Sequence, residues 1–255
     1  MSVPWRRALV IGNWKMNLSV SMAAHTARSI AALVRDAPDR EVAIAPPFTA
    51  LTTVGAAIAG GPLVLAAQDL FWEEEGPYTG EISGPMLAEV GVRYVLVGHS
   101  ERRVFLGETD RNVSHKVAAA LRAGLHPVVC VGEDLEARTA GRQGQVVRDQ
   151  VARSLDGVPR HEAARLAMAY EPIWAIGTGR AATPADAAEM HSLIRNELGA
   201  IFGESERSIR ILYGGSVGEK NADDLMSRGE IDGLLVGGAS LRPAEFGRIA
   251  GFRGL

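Results

Sequence analysis

Residues 165–180 read RLAMAYEPIWAIGTGR: a short apolar run ends on one carboxylate, Glu171, followed by Pro172, four apolar residues and Gly-Thr-Gly. The run is too continuously hydrophobic for a strand with one wet face and reads as a strand covered on both sides, as in a parallel sheet. Pro172 disfavours helical geometry at position 171, so the chain is expected to leave the strand extended, with the carboxylate at its end. Next comes TPADAAEMHSLIRNELGAIFG (183–203), whose apolar residues recur at three- and four-residue spacing after a Thr-Pro start. That pattern predicts an amphipathic helix.

The same unit recurs along the chain. The other apolar runs are ALVIGNW (8–14), EVAIAPP (41–47), PLVLAAQD (62–69), RYVLVGHS (93–100), HPVVCVGED (126–134), IRILYGGS (209–216) and DGLLVGG (232–238). Stretches such as SVSMAAHTARSIAALVRD (19–36) and RNVSHKVAAALRAG (111–124) lie between them with helical periodicity. Eight strand-helix alternations in 255 residues predict a (β/α)8 barrel in a single domain, with a doubly wound open sheet as the alternative. In a barrel the segments after the strands gather at one mouth, where active sites lie. Those ends hold Asn13 and Lys15, Gln68 and Asp69, His99 with Ser100 and Glu101, Cys130 with Glu133, Glu171, Gly214 with Gly215 and Ser216, and Gly237 with Gly238. Taken singly, a histidine after a strand or a glutamate in a loop is more often structural; the convergence on one rim is what points to a site.

Composition narrows the class of partner. Hydrophobic residues make up 47% of the chain and charged ones 22%, and the formal net charge is −3 with basic residues scattered. No positive stripe of the kind that binds nucleic acid is present in the sequence. Neither a signal peptide nor a run of about 20 apolar residues that would span a membrane is found. Cys130 is the only cysteine, which excludes an internal disulfide framework and suits a reducing, cytoplasmic setting. Cys130 itself reads as a packed strand thiol rather than a nucleophile. Only Lys15, Lys116 and Lys220 are lysines among 27 basic residues, which singles out Lys15 at a strand end.

Five motifs, in order and in register, carry a resemblance to the triosephosphate isomerase family: GNWKMN (12–17), VGHSERR (97–103), YEPIWAIGTG (170–179), YGGSV (213–217) and LVGGASL (235–241). The resemblance covers the chain from the first strand to the last. It implies a TIM barrel that interconverts dihydroxyacetone phosphate and glyceraldehyde 3-phosphate without a metal or organic cofactor. Moving a carbonyl between adjacent carbons needs a base and a group that stabilises the enediolate oxygen. Glu171 suits the base, and desolvation is expected to raise its proton affinity. This family is itself a standing example of pKa tuning, so the glutamate base and a neutral His99 are what the resemblance implies. The positive end of a short helix opened by SERRVF would help to keep that imidazole uncharged. Lys15 supplies a fixed positive charge, Asn13 completes the oxyanion contacts, and Glu101 pairs with Lys15.

Ile173, Trp174 and Ile176 would form an exposed apolar patch unless their loop closes over a ligand and dries Glu171, so the segment reads as a lid with its second hinge at Gly177 and Gly179. The paired glycines at the last two strand ends let backbone N–H groups approach an anion, with a short helix starting at Gly238. The resemblance assigns phosphate binding to Gly177, Ser216, Gly237 and Gly238. FWEEEGPYTGEISG (71–84) carries aromatic residues that a monomer would expose, and the resemblance implies a homodimer in which this arm, with Thr79 at its tip, enters the partner. Asp69, Arg180, Leu18 and the three glutamates at 73–75 depart from the family's usual residues. Two other activities are weighed against the main one: isomerisation of a four-carbon ketose phosphate (erythrulose phosphate), and a barrel that binds a phosphorylated ligand without turning it over.

Overall fold

The apolar runs all form strands in the computed structural model, which describes residues 6–34, 39–175 and 182–253. The strands are β1 (Ala8–Asn13), β2 (Arg40–Ala45), β3 (Leu63–Ala67), β4 (Tyr94–Val97), β5 (His126–Val131), β6 (Ala167–Tyr170), β7 (Arg210–Tyr213) and β8 (Gly233–Val236). They pair in parallel and in sequence order. β8 returns to β1, with Leu9 opposite Gly233, Val10 opposite Leu234, Ile11 opposite Leu235 and Gly12 opposite Val236. This last pairing closes the barrel and rejects the open-sheet alternative.

Both faces of each strand are buried, which explains why the runs do not alternate. Leu9 and Ile11 turn inward with Ala43, Ala45, Ala66, Leu96, Val128, Ala169 and Leu212 to fill the barrel. Ala8, Val10, Val42, Ile44, Val95 and Val97 turn outward against helical residues such as Ile30, Leu198 and Phe246. Each large aliphatic side chain buried in this way contributes about 1.5–3 kcal/mol.

The helices are α1 (Val20–Leu33), α2 (Leu51–Ile58), α3 (Gly84–Glu89), α4 (Ser100–Leu106), α5 (Asp110–Arg122), α6 (Leu135–Thr139), α7 (Gln143–Ser154), α8 (Pro184–Phe202), α9 (Ala222–Met226) and α10 (Pro243–Ala250). Their starts follow from local chemistry. Thr109 and Asn112 form a reciprocal capping box on α5, Thr183 and Asp186 do the same on α8, and Asp134 caps α6. Among the described residues no helix is long and apolar enough to cross a membrane.

The arm after β3 folds back on itself. Phe71 stacks on Trp72 with ring centroids 4.2 Å apart and leans on Tyr78 at 4.7 Å, while Trp72 meets His115 edge-on. Phe71 and Trp72 are therefore half-buried within the chain, and Tyr78 is the exposed aromatic of the arm.

The closing seam is tight where β8 begins. A Cβ on Gly233 would lie 1.9 Å from the Leu9 carbonyl oxygen and 2.6 Å from Leu212 Cδ2. Gly233→Ala is expected to destabilise the barrel by about 2 kcal/mol or more and to lower the thermal-unfolding midpoint by roughly 4–8 °C. An unchanged midpoint in calorimetry would show that the β1–β8 seam has slack.

Candidate active site

At the C-terminal mouth of the barrel, β6 and the first turn of α4 bring a carboxylate and an imidazole together. The Glu171 N–H extends the ladder to the Val131 carbonyl, and the side chain turns inward, 2% exposed. Its Oε1 lies 3.0 Å from His99 Nε2, and its Oε2 accepts the Ser100 N–H at 2.9 Å. His99 sits at the N-terminal cap of α4, where its Nδ1 accepts the Glu101 N–H at 3.3 Å. An imidazolium carries a proton on both nitrogens and would have to give up that bond. In the neutral ring this bond fixes the tautomer, with the proton on Nε2 and donated to Glu171.

The electrostatics differ from the sequence-based expectation. Burial favours the protonated form of Glu171, but His99, through its charge when protonated and through its hydrogen bond, together with the Ser100 N–H and the Lys15 ammonium, outweighs it. They hold the Glu171 pKa below the usual carboxylate value. Burial likewise opposes an imidazolium at His99, yet the adjacent Glu171 outweighs it and raises the His99 pKa above its ordinary value, with Lys15 pulling the other way. Desolvation alone therefore does not set the basicity of Glu171; its present partners reverse the effect. The same linkage makes Glu171 a source of stability above the ordinary carboxylate pKa, lost as pH falls through its lowered value.

Lys15 adopts φ 50, a left-handed conformation rare outside glycine, so surrounding bonds must hold it there. Its N–H donates to Asn13 Oδ1 at 3.0 Å, and its carbonyl accepts Gln68 Nε2 at 2.8 Å, an amide that also bonds the Ala45 carbonyl at 2.8 Å. Its ammonium meets Glu101 Oε1 at 2.6 Å. Asn13 thus props the Lys15 backbone as well as lining the site.

A cavity of about 320 Å³ joins these groups, lined on one wall by Asn13, Lys15, His99 and Glu171 and on the other by Gly214, Gly215, Ser216, Val217, Leu235, Gly237 and Gly238. The first glycine pair is required by packing as much as by any anion. A Cβ at Gly214 would lie 2.9 Å from Glu171 Cγ, and one at Gly215 would lie 2.2 Å from the Tyr213 hydroxyl. Gly238 begins a short 3-10 turn, Gly238–Leu241, as the sequence indicates. Ser216 Oγ donates to the Ala175 carbonyl at 3.2 Å and so ties this wall to the segment after Glu171.

That segment is less exposed than its sequence implies. Ile173–Ala175 form a single 3-10 turn, with Ile173 and Trp174 half-buried and Ala175 fully buried. The Trp174 indole donates to Glu133 Oε1 at 2.8 Å, and the Tyr170 hydroxyl donates to the same buried carboxylate. The proposed hinge at Gly177 and Gly179, with Ile176 and Arg180, lies outside the described residues.

Three functional contacts escaped the sequence reading: the Ser100 N–H on Glu171, the Gln68 amide under Lys15, and Glu133 under Trp174. The first is a backbone group and leaves no sequence signal. Gln68 and Glu133 do stand at strand ends, but their partners are set by chain segments far away. Asp69, noted as unusual, is buried and clasped by Lys116 Nζ at 2.6 Å and Arg102 Nη2 at 2.9 Å. Burial, against the pull of Lys116 and with Glu108 adding to the rise, pushes its pKa up to about 6.

Such a constellation at the mouth of a (β/α)8 barrel defines an enzyme that moves protons on a small anionic substrate. The family model for triosephosphate isomerase matches residues 8–253. The triosephosphate isomerase of Thermoanaerobacter pseudethanolicus is 48% identical over 248 residues, covering 97% of this chain and 100% of that protein. That of Chloroflexus aurantiacus is 50% identical over 245 residues, covering 96% and 98%. The crystal structure of triosephosphate isomerase from Bartonella henselae superimposes with a TM-score of 0.87 at 40% identity, covering 95% of this chain and 97% of that one. The chain belongs to the triosephosphate isomerase family.

The paired Glu171 and His99 make one direct prediction. In Glu171→Gln the carboxylate that raises His99 is gone, leaving burial and Lys15 to disfavour the imidazolium. His99 is expected to titrate at lower pH than in the parent protein when its ring signals are followed by NMR. A midpoint unchanged or higher would show that Glu171 does not control the imidazole.

Proposed function

We propose that this chain interconverts dihydroxyacetone phosphate and D-glyceraldehyde 3-phosphate through an enediolate, the aldose-ketose isomerisation of glycolysis and gluconeogenesis. The observation that carries the reading is the cavity in which Glu171, His99 and Lys15 face a glycine-lined wall across a space suited to a triose phosphate. Glu171 takes the proton from the carbon next to the carbonyl and returns it to the neighbouring carbon. Its hydrogen bonds to His99 and the Ser100 N–H stabilise the carboxylate and weaken it as a base. The acid gains basicity only as it trades those bonds for the substrate proton. His99, through Nε2–H, donates to the oxygens between which a proton must also pass. Lys15 stabilises the negative charge that develops there. Asn13 and Glu101 hold Lys15 in place, and Ser216, Gly237 and Gly238, with Gly177, bind the phosphate.

The pairing of Glu171 with a pre-aimed imidazole favours turnover over mere ligand binding, since a phosphate binder needs the glycine wall but no base. The whole chain acts as one barrel domain in the cytoplasm. It works as a homodimer, supported by an apolar surface at the edge of the site. Met16, Phe105 and Leu106 are 94%, 78% and 65% exposed, and with Pro47 and Phe48 they line a second cavity that also reaches Asn13, Lys15 and His99. The arm with Thr79 fills that cavity from the partner.

Glu171→Asp withdraws the carboxylate by one methylene. It is expected to keep inorganic phosphate bound while lowering kcat by about 100- to 10,000-fold in a coupled assay. Near-normal turnover would remove Glu171 from the role of base. Run beside it, erythrulose phosphate is expected to be the poorer substrate; preferential turnover of that four-carbon compound would replace the triose reading. Phe105→Asp is expected to shift the protein from dimer to monomer in sedimentation velocity at micromolar concentration. A dimer as tight as the parent would place the interface elsewhere.

A further inference from the structure

Three groups that the site takes from α4 depend on how its first turn is seated: the Ser100 N–H on Glu171, the Glu101 N–H on His99 Nδ1, and the Glu101 carboxylate on Lys15. The chain enters this turn through Gly98 at φ 71, a left-handed conformation suited to glycine. A Cβ there would also lie 2.8 Å from Val113 Cγ2 and 3.0 Å from Arg103 Nη2. β4 ends at Val97, so the Gly98 carbonyl lies beyond the strand and takes its hydrogen bond from a side chain.

Arg103 supplies that bond. From one turn into α4 its Nε reaches back to the Gly98 carbonyl at 2.8 Å. Its Nη1 meets Asp110 Oδ1 at 2.6 Å, and its Nη2 donates to the Cys130 carbonyl in β5 at 3.2 Å. The guanidinium is largely enclosed, with its side chain 12% exposed. Asp110 balances its charge, so the other two bonds are free to act as geometric constraints.

We propose that Arg103 is a positioning residue for His99: it closes residues 98–103 into a ring and pins that ring to β5, so that the imidazole presents Nε2–H to the cavity. The inference rests on His99 as the proton-handling donor. Three acceptors in three fixed directions call for the planar fork of arginine; a lysine ammonium on a flexible stem can pair with Asp110 but cannot span both carbonyls.

Arg103→Lys keeps the ion pair with Asp110 and loses the clamp. The expected result is a fall in kcat of about 10- to 100-fold, with the Kd for inorganic phosphate unchanged within about twofold. The His99 ring nitrogens, read by 15N NMR, should move away from the single Nε2–H tautomer. Asp110→Asn does the reverse: it removes the tie to α5 and leaves both carbonyl bonds. It is expected to lower the thermal midpoint while kcat and the His99 signals stay as in the parent. The proposal is overturned if Arg103→Lys turns over normally, if its kcat falls with the His99 signals unmoved, or if Asp110→Asn disturbs His99 as strongly. His99→Asn separates this from the parent reading. Normal turnover there removes His99 from the reaction, whereas its inactivity beside a fully active Arg103→Lys removes only the clamp.

Discussion

The site depends on one contact: the carboxylate at the end of β6 lying between an imidazole N–H and the first free N–H of α4. This contact joins two strands that are distant in sequence and draws the N-terminus of α4 against the barrel mouth. It explains why Gly214 has no side chain, since a Cβ there would meet Glu171 Cγ at 2.9 Å. It also explains why His99 takes a capping position, with one ring nitrogen receiving a backbone N–H and the other giving its proton to Glu171.

Burial and pairing act on Glu171 in opposite directions, and pairing wins in this arrangement. A buried carboxylate without partners would be a stronger base and also a less stable part of the fold. Holding the acid against Ser100 and His99 keeps the folded state favourable and leaves basicity to appear as those bonds are exchanged. Lys15 shows the same principle in the backbone. Its left-handed conformation is unfavourable by itself, and Asn13, Gln68 and Glu101 restrain its N–H, carbonyl and ammonium in turn. Strain and desolvation thus occur at the same rim, each offset by hydrogen bonds from groups that several chain segments bring there.

Much of this was legible in the chain before any coordinates. The eight runs are continuous in hydrophobicity because each strand packs inward on the barrel and outward on helices, and double burial leaves no polar face to mark. Periodicity placed α5 and, with its Thr-Pro start, α8 to within a residue or two, because contacts along one helix face and at its cap are local interactions. The triosephosphate isomerase motifs were equally local, each a strand end with its following turn. The half-burial of Ile173 and Trp174 was not legible, because the buried carboxylate that receives the Trp174 indole comes from the segment after β5, 41 residues away.

The chain's own pattern determined the alternation of strand and helix, the rim on which the polar groups gather, and the family to which they belong, because these rest on periodicity and short-range chemistry. Closure of the sheet, the downward shift of Glu171, the tautomer of His99 and the support under Lys15 were decided only in three dimensions. Each depends on a balance between burial and partners that are separated by tens of residues, and no local spacing records which of two opposing effects is larger.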